Sequence, residues 1–212
     1  MTFPDAEKAL IFRVTHLQNL LWILRHGLHC RGSSVSDSNF REIGSPDLIS
    51  KRVSRAVPVP PGGTLSEYIP FYFTPFSPML YNIKTGYAGT KQTPMPEIAI
   101  LVASLLGLDS QGIPYVFTDR HAYLQAANFY NRTDDLDKID WKLLQARDFK
   151  RSDNDPGKFE RYQAEVLIHR HLPVTSLVGI ACHGAIQVTQ VAEWCRSLNL
   201  ELKAAARPEW YL

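Results

Sequence analysis

The sequence predicts an α+β fold, with helices gathered around a sheet rather than alternating with its strands. Three observations predict it. Short apolar runs that read as strands are mixed with helical runs, without a regular βαβ alternation. Gly62-Gly63 follows a proline run and opens no helix, and there is no Gly-x-Gly-x-x-Gly or phosphate-binding loop, which argues against a dinucleotide fold of Rossmann type. The chain has 212 residues, 45% hydrophobic and 21% charged, with no repeat, low-complexity tract or linker, so it is read as one domain, 1–212, with a sizeable core.

The elements follow in order. Ala9 to Thr15 is expected to be a strand, with Ile11, Phe12 and Val14 apolar. Leu17, Leu20, Leu21 and Leu24 keep helical spacing, which predicts a helix from Asn19 to His26 with Gly27 as its C-cap. Arg31 to Ser45 is rich in Ser, Gly and Asp without periodicity, and a loop of that length tends to be functional. Leu48 to Val53 reads as a short strand or a helical turn. Pro58 to Gly63 is stiff and then sharply turned. Strands are expected at Ile69 to Phe73, Ile98 to Val102, Pro114 to Thr118, Arg161 to His169 and Leu177 to Ala181. Helices are expected at Ser77 to Lys84, His121 to Asn131, around Ile139 to Leu144, and at Ala185 to Leu198, after which Leu200 to Tyr211 returns as a strand.

Composition narrows the function. A net charge of +2 and a pI near 8.4 exclude a highly basic nucleic-acid coat but leave room for a basic cleft. No apolar run is long enough to span a bilayer, so no membrane is expected. Met1 to Lys8 carries Asp5 and Glu7 and lacks the basic start of a signal peptide. Cys30, Cys182 and Cys195 are odd in number and far apart, which fits a reduced cytoplasm. The seven histidines form no HExxH or similar pattern, so no metal is expected.

Five groups remain as candidates for chemistry. Gln163 and Glu165 are expected to share one face of a strand, with Val166 and Ile168 on the other. An amide and a carboxylate on one cleft suit work at an anomeric carbon, where the carboxylate answers developing positive charge; an ordinary half-buried strand gives the same pattern. Arg13-Val14-Thr15-His16 ends the first strand, and His16 also reads as a satisfied core histidine. Lys51-Arg52 and Arg55 lie just before the proline turn, and Lys51-Arg52 is equally readable as a solvated face. Tyr68 to Tyr81 is densely aromatic but broken by Pro70, Pro75 and Pro78, which offers ring faces to single-stranded bases unless the rings are core. Thr118-Asp119-Arg120-His121 follows a strand, and His121 reads as a helix cap or a proton carrier.

Together these residues resemble the DarT-type DNA ADP-ribosyltransferase toxins, which are paired with a macrodomain antitoxin, DarG. The resemblance covers nearly the whole chain. Its carriers are Thr15-His16 with the leucine-rich helix and Gly27; Arg52 with Val57-Pro58 and Pro60-Pro61-Gly62-Gly63; Tyr68 to Phe73 with Ser77-Pro78-Met79-Leu80-Tyr81; Val116 to His121; and Gln163-Ala164-Glu165. It implies an ADP-ribosyltransferase-like split β core with surrounding helices. It also implies transfer of ADP-ribose from NAD+ to a base in single-stranded DNA, thymine favoured. Glu165 would be the catalytic glutamate and Arg52 the catalytic arginine. Arg13, Val14, Thr15, His16, Arg52 and Gln163 would hold NAD+, under a loop from roughly Ser34 to Ser54. Phe76, Ser77, Pro78, Met79, Leu80, Tyr81 and His121 would contact the nucleic acid.

Two positions depart from the family pattern. Arg13 replaces a histidine beside the NAD+ adenylate, and Phe76 replaces an arginine before Ser-Pro-Met. Phe76 is therefore expected to stack on a base and relax the preferred sequence context. The alternatives are a guanine-directed DNA or RNA ADP-ribosyltransferase and a non-catalytic single-strand binder. The binder leaves Gln163 and Glu165 without a role, because a carboxylate in such a groove repels phosphate. A metal-dependent nuclease is disfavoured by the scarcity of carboxylates around Glu165.

Overall fold

The computed structural model describes residues 3–211, built on an eight-stranded sheet in the order β10-β9-β4-β1-β3-β7-β5-β6. The strands are β1 (Leu10–His16), β2 (Leu28–His29), β3 (Tyr68–Tyr72), β4 (Ile98–Ser104), β5 (Tyr115–Thr118), β6 (Phe129–Tyr130), β7 (Glu165–His169), β8 (His171–Leu172), β9 (Leu177–Cys182) and β10 (Ala204–Ala206). The helices are α1 (Leu20–His26), α2 (Pro46–Arg52), α3 (Pro78–Thr85), α4 (Leu105–Ser110), α5 (Trp141–Ala146), α6 (Lys158–Arg161) and α7 (Ala185–Ser197). Neighbouring strands of the large sheet run antiparallel except β9 and β10, and β2 and β8 form a separate two-stranded ribbon.

The sheet is split at its middle. β1 pairs with β4 along its whole length, from Leu10↔Ser104 to His16↔Ile98, and β3 pairs with β7 from Tyr68↔His169 to Tyr72↔Glu165. β1 and β3, by contrast, meet only at Phe12↔Tyr72. Beyond that pair the two halves part, and their backbone groups need other partners. Arg13 supplies one: its Nη1 donates to the Pro70 carbonyl at 2.9 Å. A cleft lined by Arg13, Pro70 and Tyr72 sits in this opening.

Strand alternation sorts the core onto two faces. Ile11, Ile69, Phe71, Phe73, Val166 and Ile168 join the main cluster with α1 and α7. On the other face, Phe12 and Val14 pack with Leu80, Ile83 and Ile100, while Tyr68, Val116 and Leu167 form a third cluster with Val57 and Leu65. Gly27 ends α1 at φ 77°, and a Cβ there would meet the Leu172 carbonyl at 2.5 Å, so glycine is required.

Three sequence expectations are corrected. His121 to Asn131 is not a helix but a turn-rich loop leading to β6. The Asp119 carboxylate accepts from the Asn128 backbone N–H at 3.1 Å and from its Nδ2 at 2.8 Å, closing the loop on itself. Arg161 to Ala164 is not strand: Arg161 ends α6, tied to Asp140 and Asp155, and β7 starts only at Glu165. Leu200 to Tyr211 contributes three strand residues, then a 3-10 turn at Pro208–Trp210. The ambiguous Leu48 to Val53 is helical: Leu48 to Arg52 lies in α2 with Val53 as its C-cap, and α2 starts with Pro46 at its first turn, a position that needs no N–H donor.

Candidate active site

Glu165 is 1% exposed, at the first position of β7, opposite in face to Val166 and Ile168 as the alternation predicts. A carboxylate so buried must be held by donors. Arg52 Nη1, at the end of α2, donates to Oε2 at 2.9 Å, and the Ala122 backbone N–H donates to Oε1 at 3.1 Å. His121 Nδ1 lies 3.1 Å from Oε1. The loop closed by Asp119 is what hangs His121 and Ala122 over the carboxylate. Thr118 Oγ1 accepts the Glu165 backbone N–H at 3.3 Å, fixing where β7 begins.

Burial alone pushes the Glu165 carboxyl up, but Arg52, His121 and the Ala122 N–H together outweigh it and hold the group below the usual carboxylate range. Burial pushes His121 down, favouring the neutral imidazole; Glu165 opposes the shift and Arg52 adds to it. Burial, then the neighbouring Arg52 charge, lowers Arg13 to about 10. Tyr72, the cross-strand partner of Glu165, is pushed up by burial and by that carboxylate, so its hydroxyl keeps its proton.

The cleft around this cluster holds about 1060 Å³ including its open mouth, and the loop before α2 roofs it with Phe40, Glu42, Ile43, Gly44 and Ser45. Arg13 Nε and Arg52 Nη2 are buried and have no hydrogen-bond partner among the described residues. Two cationic donors without acceptors, on residues that line one cleft, fit an anion such as a diphosphate. No group of three or more His, Cys, Asp or Glu is arranged to hold a metal among the described residues, and no helix there is long and apolar enough to cross a membrane.

The structure brings Arg13, Val14, Thr15, Arg52, Met79, Pro78, His121, Gln163 and Glu165 to this cleft. Gln163 reaches it from a turn rather than from the strand, its Nε2 donating to the Phe159 carbonyl at 3.1 Å. His16 is not there: its Nε2 lies 3.1 Å from Glu97 Oε2, in a separate pocket with Gln18 and Trp194. Phe76 is 2% exposed and cannot stack on a base; the Arg147 guanidinium covers its ring at 3.7 Å. Ser77 and Leu80 are also buried, Ser77 as the N-cap of α3, where its Oγ accepts the Leu80 N–H at 3.2 Å. Of Phe76 to Tyr81, Tyr81 is the exposed ring, and it lines a second groove that opens off the cleft.

That groove was not legible in the aromatic segment. Tyr81, Tyr87, Tyr123, Phe149, Phe159 and Arg151 line it, drawn from four separate parts of the chain. Tyr87 is 66% exposed, and Arg151 lies 4.4 Å over the Phe159 ring. Their one sequence signal is aromatic residues in polar, unperiodic stretches, which says nothing about which of them meet.

A family model described as "ssDNA thymidine ADP-ribosyltransferase, DarT" matches residues 12–212. A DNA ADP-ribosyl transferase of Escherichia coli O127:H6 (strain E2348/69 / EPEC) is 50% identical over 207 residues, covering 98% of this chain and 95% of that protein. The structure of Thermus sp. 2.9 DarT in complex with ADP-ribosylated ssDNA superposes with a TM-score of 0.90 at 33% identity, over 100% of this chain and 99% of that one. Thermus sp. 2.9 DarT in complex with NAD+ gives a TM-score of 0.86 at 33% identity, over 97% of this chain and 98% of that one.

Proposed function

Because the chain belongs to the DarT family of ssDNA thymidine ADP-ribosyltransferases, we propose that its Glu165–Arg52 cleft is where ADP-ribose passes from NAD+ to a thymidine base of single-stranded DNA. The chain is an NAD+-dependent ADP-ribosyltransferase acting on DNA. The observation that carries the residue assignment is the pair of unpartnered donors, Arg13 Nε and Arg52 Nη2, beside a carboxylate buried in the same cleft. The donors hold the diphosphate, which sets the nicotinamide ribose against Glu165.

In the transfer, the bond from ribose C1′ to the nicotinamide nitrogen breaks and its electron pair leaves with nicotinamide. Glu165 stabilises the oxocarbenium character that C1′ acquires, as a fixed carboxylate does at an anomeric carbon. The one N–H of a thymine base in DNA must lose its proton for that nitrogen to bond to C1′. His121, 3.1 Å from the Glu165 carboxylate, takes the proton, and the carboxylate stabilises the imidazolium that results. Arg52 keeps Glu165 ionised through Nη1 and turns Nη2 to the diphosphate or the base carbonyl. Tyr81, Tyr87, Tyr123 and Phe159 supply ring faces along the groove, and Arg151 supplies charge, which suits an unpaired strand. A base in duplex would first have to be flipped out, at a cost of a few kcal/mol. Modified DNA is a lesion for the cell that makes it, so the partner implied by the resemblance is a DarG-like macrodomain antitoxin, with this chain as the toxin.

The test is nicotinamide release, measured by chromatography with NAD+ and oligonucleotides of defined base content. Release is expected with thymidine-containing single strands and not with the matched duplex or with strands lacking thymidine. Release that follows guanine instead would move the target, and release without DNA dependence would refute the reading.

A further inference from the structure

Asn19 stands where a 3-10 turn, Leu17–Asn19, runs into α1. Asparagine at such a junction commonly caps the helix, yet this side chain makes no cap hydrogen bond. It is 1% exposed, and its polar atoms are engaged elsewhere. Oδ1 accepts the Arg41 backbone N–H at 2.9 Å, and Nδ2 donates to the Arg41 carbonyl at 3.0 Å. The carboxamide thus pairs with Arg41 as a neighbouring strand would. Nδ2 also donates to Thr15 Oγ1 at 3.2 Å.

Those three bonds join two walls of the cleft. Thr15 belongs to the floor, and Glu42, Ile43, Gly44 and Ser45, which follow Arg41 directly, belong to the roof. Between residues 34 and 44, the hydrogen bonds that tie the roof loop to the rest of the domain among the described residues are the two made by Asn19. The Arg31–Glu42 ion pair is exposed at both ends and internal to the loop. Ile43 adds an apolar anchor but no direction.

We infer that Asn19 is a positioning residue for NAD+ binding: it never touches the cleft, but it holds the roof loop closed over the cleft before the dinucleotide arrives. The inference rests on the reading of the cleft as the NAD+ site. A roof that loses both bonds, and keeps Ile43 and the attraction of Glu42 for Arg13, spends part of its time away from the cleft, and apparent affinity falls with the binding-competent fraction. Chemistry at Glu165 is untouched once NAD+ is seated.

Asn19→Ala tests this, because the side chain makes no cap hydrogen bond whose loss would uncap α1. Calorimetry with NAD+ and no DNA should show a dissociation constant about tenfold higher. Turnover at saturating NAD+ should stay within about threefold, and deuterium exchange should quicken in a peptide spanning 34–45 but not in β4. Arg41→Ala keeps the backbone groups that Asn19 uses and should bind NAD+ as wild type does. Equal NAD+ affinity for Asn19→Ala and wild type overturns the inference, as does a fall in turnover without a change in affinity. If the variant does not fold, the wild-type Arg41 amide decides: slow exchange in the free protein supports the clamp, and exchange as fast as at the exposed Ser38 refutes it. Failure of wild type to bind NAD+ would instead refute the function itself, so the two failures are distinguishable.

Discussion

Removing the Arg52 guanidinium should convert Glu165 from a stabilising group into a pH-dependent liability. In the wild type its pKa lies below the ordinary carboxylate value, so its contribution to stability is present above that value and is lost only as pH falls through the depressed folded pKa. In Arg52→Ala the largest lowering influence is gone and burial dominates, so the folded pKa rises above the unfolded one. The sign then reverses: stability is kept at low pH, with the carboxyl protonated, and is lost as pH rises through the raised value. Breaking a buried ion pair costs about 3–5 kcal/mol. The Ala122 N–H and His121 still face Oε1, which puts the loss at pH 8 near the lower end, about 3 kcal/mol, and smaller at pH 5. Arg52→Ala/Glu165→Gln should regain about 2 kcal/mol of it, because a neutral amide needs no counter-charge. Urea unfolding of wild type, Arg52→Ala, Glu165→Gln and the double variant at pH 5 and pH 8 measures all of this. A loss that does not grow between pH 5 and pH 8, or a double variant no better than Arg52→Ala, would refute the reasoning. Transfer should also fall by about 100-fold or more in Arg52→Ala, and lysine should not restore it, since a point charge cannot serve Glu165 and a second acceptor as a fork does.

Other outcomes follow from the same geometry. Glu165→Gln should lower turnover by about 100-fold or more with NAD+ affinity little changed, read by calorimetry beside the rate; near-wild-type turnover would remove Glu165 from the chemistry. Tyr87→Ala should raise the KM for a single-stranded oligonucleotide about tenfold through a lost stacking face, leaving NAD+ affinity alone. A KM that does not move would place the strand elsewhere. That KM should also rise steeply with salt as phosphate contacts release counterions. Phe76→Ala should cost about 3–5 kcal/mol of stability through a cavity, visible in a melting curve, with no selective effect on the choice of flanking bases.

Much of the fold was legible because strand and helix periods are local. Ile11 to Val14 and Ile98 to Val102 announce buried strands, and Gly27 marks the end of α1. Glu165 was legible too, since its face follows from Val166 and Ile168. What the sequence withheld is set by contacts between distant residues. His121 to Asn131 has helix-like composition, but its N–H groups go elsewhere: Ala122 to Glu165, Tyr123 to His121 and Asn128 to Asp119. Phe76 sits in a broken aromatic run that suggests ring faces at a surface, and only the fold shows Arg147 closing over it. The split between β1 and β3 has no sequence signal, because strand register is a property of the pair. The split is nevertheless what opens the cleft and places Arg13, Tyr72 and Glu165 at one site.

In the proposed reaction this cleft joins ADP-ribose to a thymidine base of an unpaired strand, with Glu165 at the anomeric carbon. Tandem mass spectrometry of a short single strand containing one thymidine, after incubation with NAD+, tests it most directly. Wild type is expected to add one ADP-ribosyl group, localised to that thymidine base, and Glu165→Gln to add none. An adduct on another base, or one formed equally by Glu165→Gln, would contradict it.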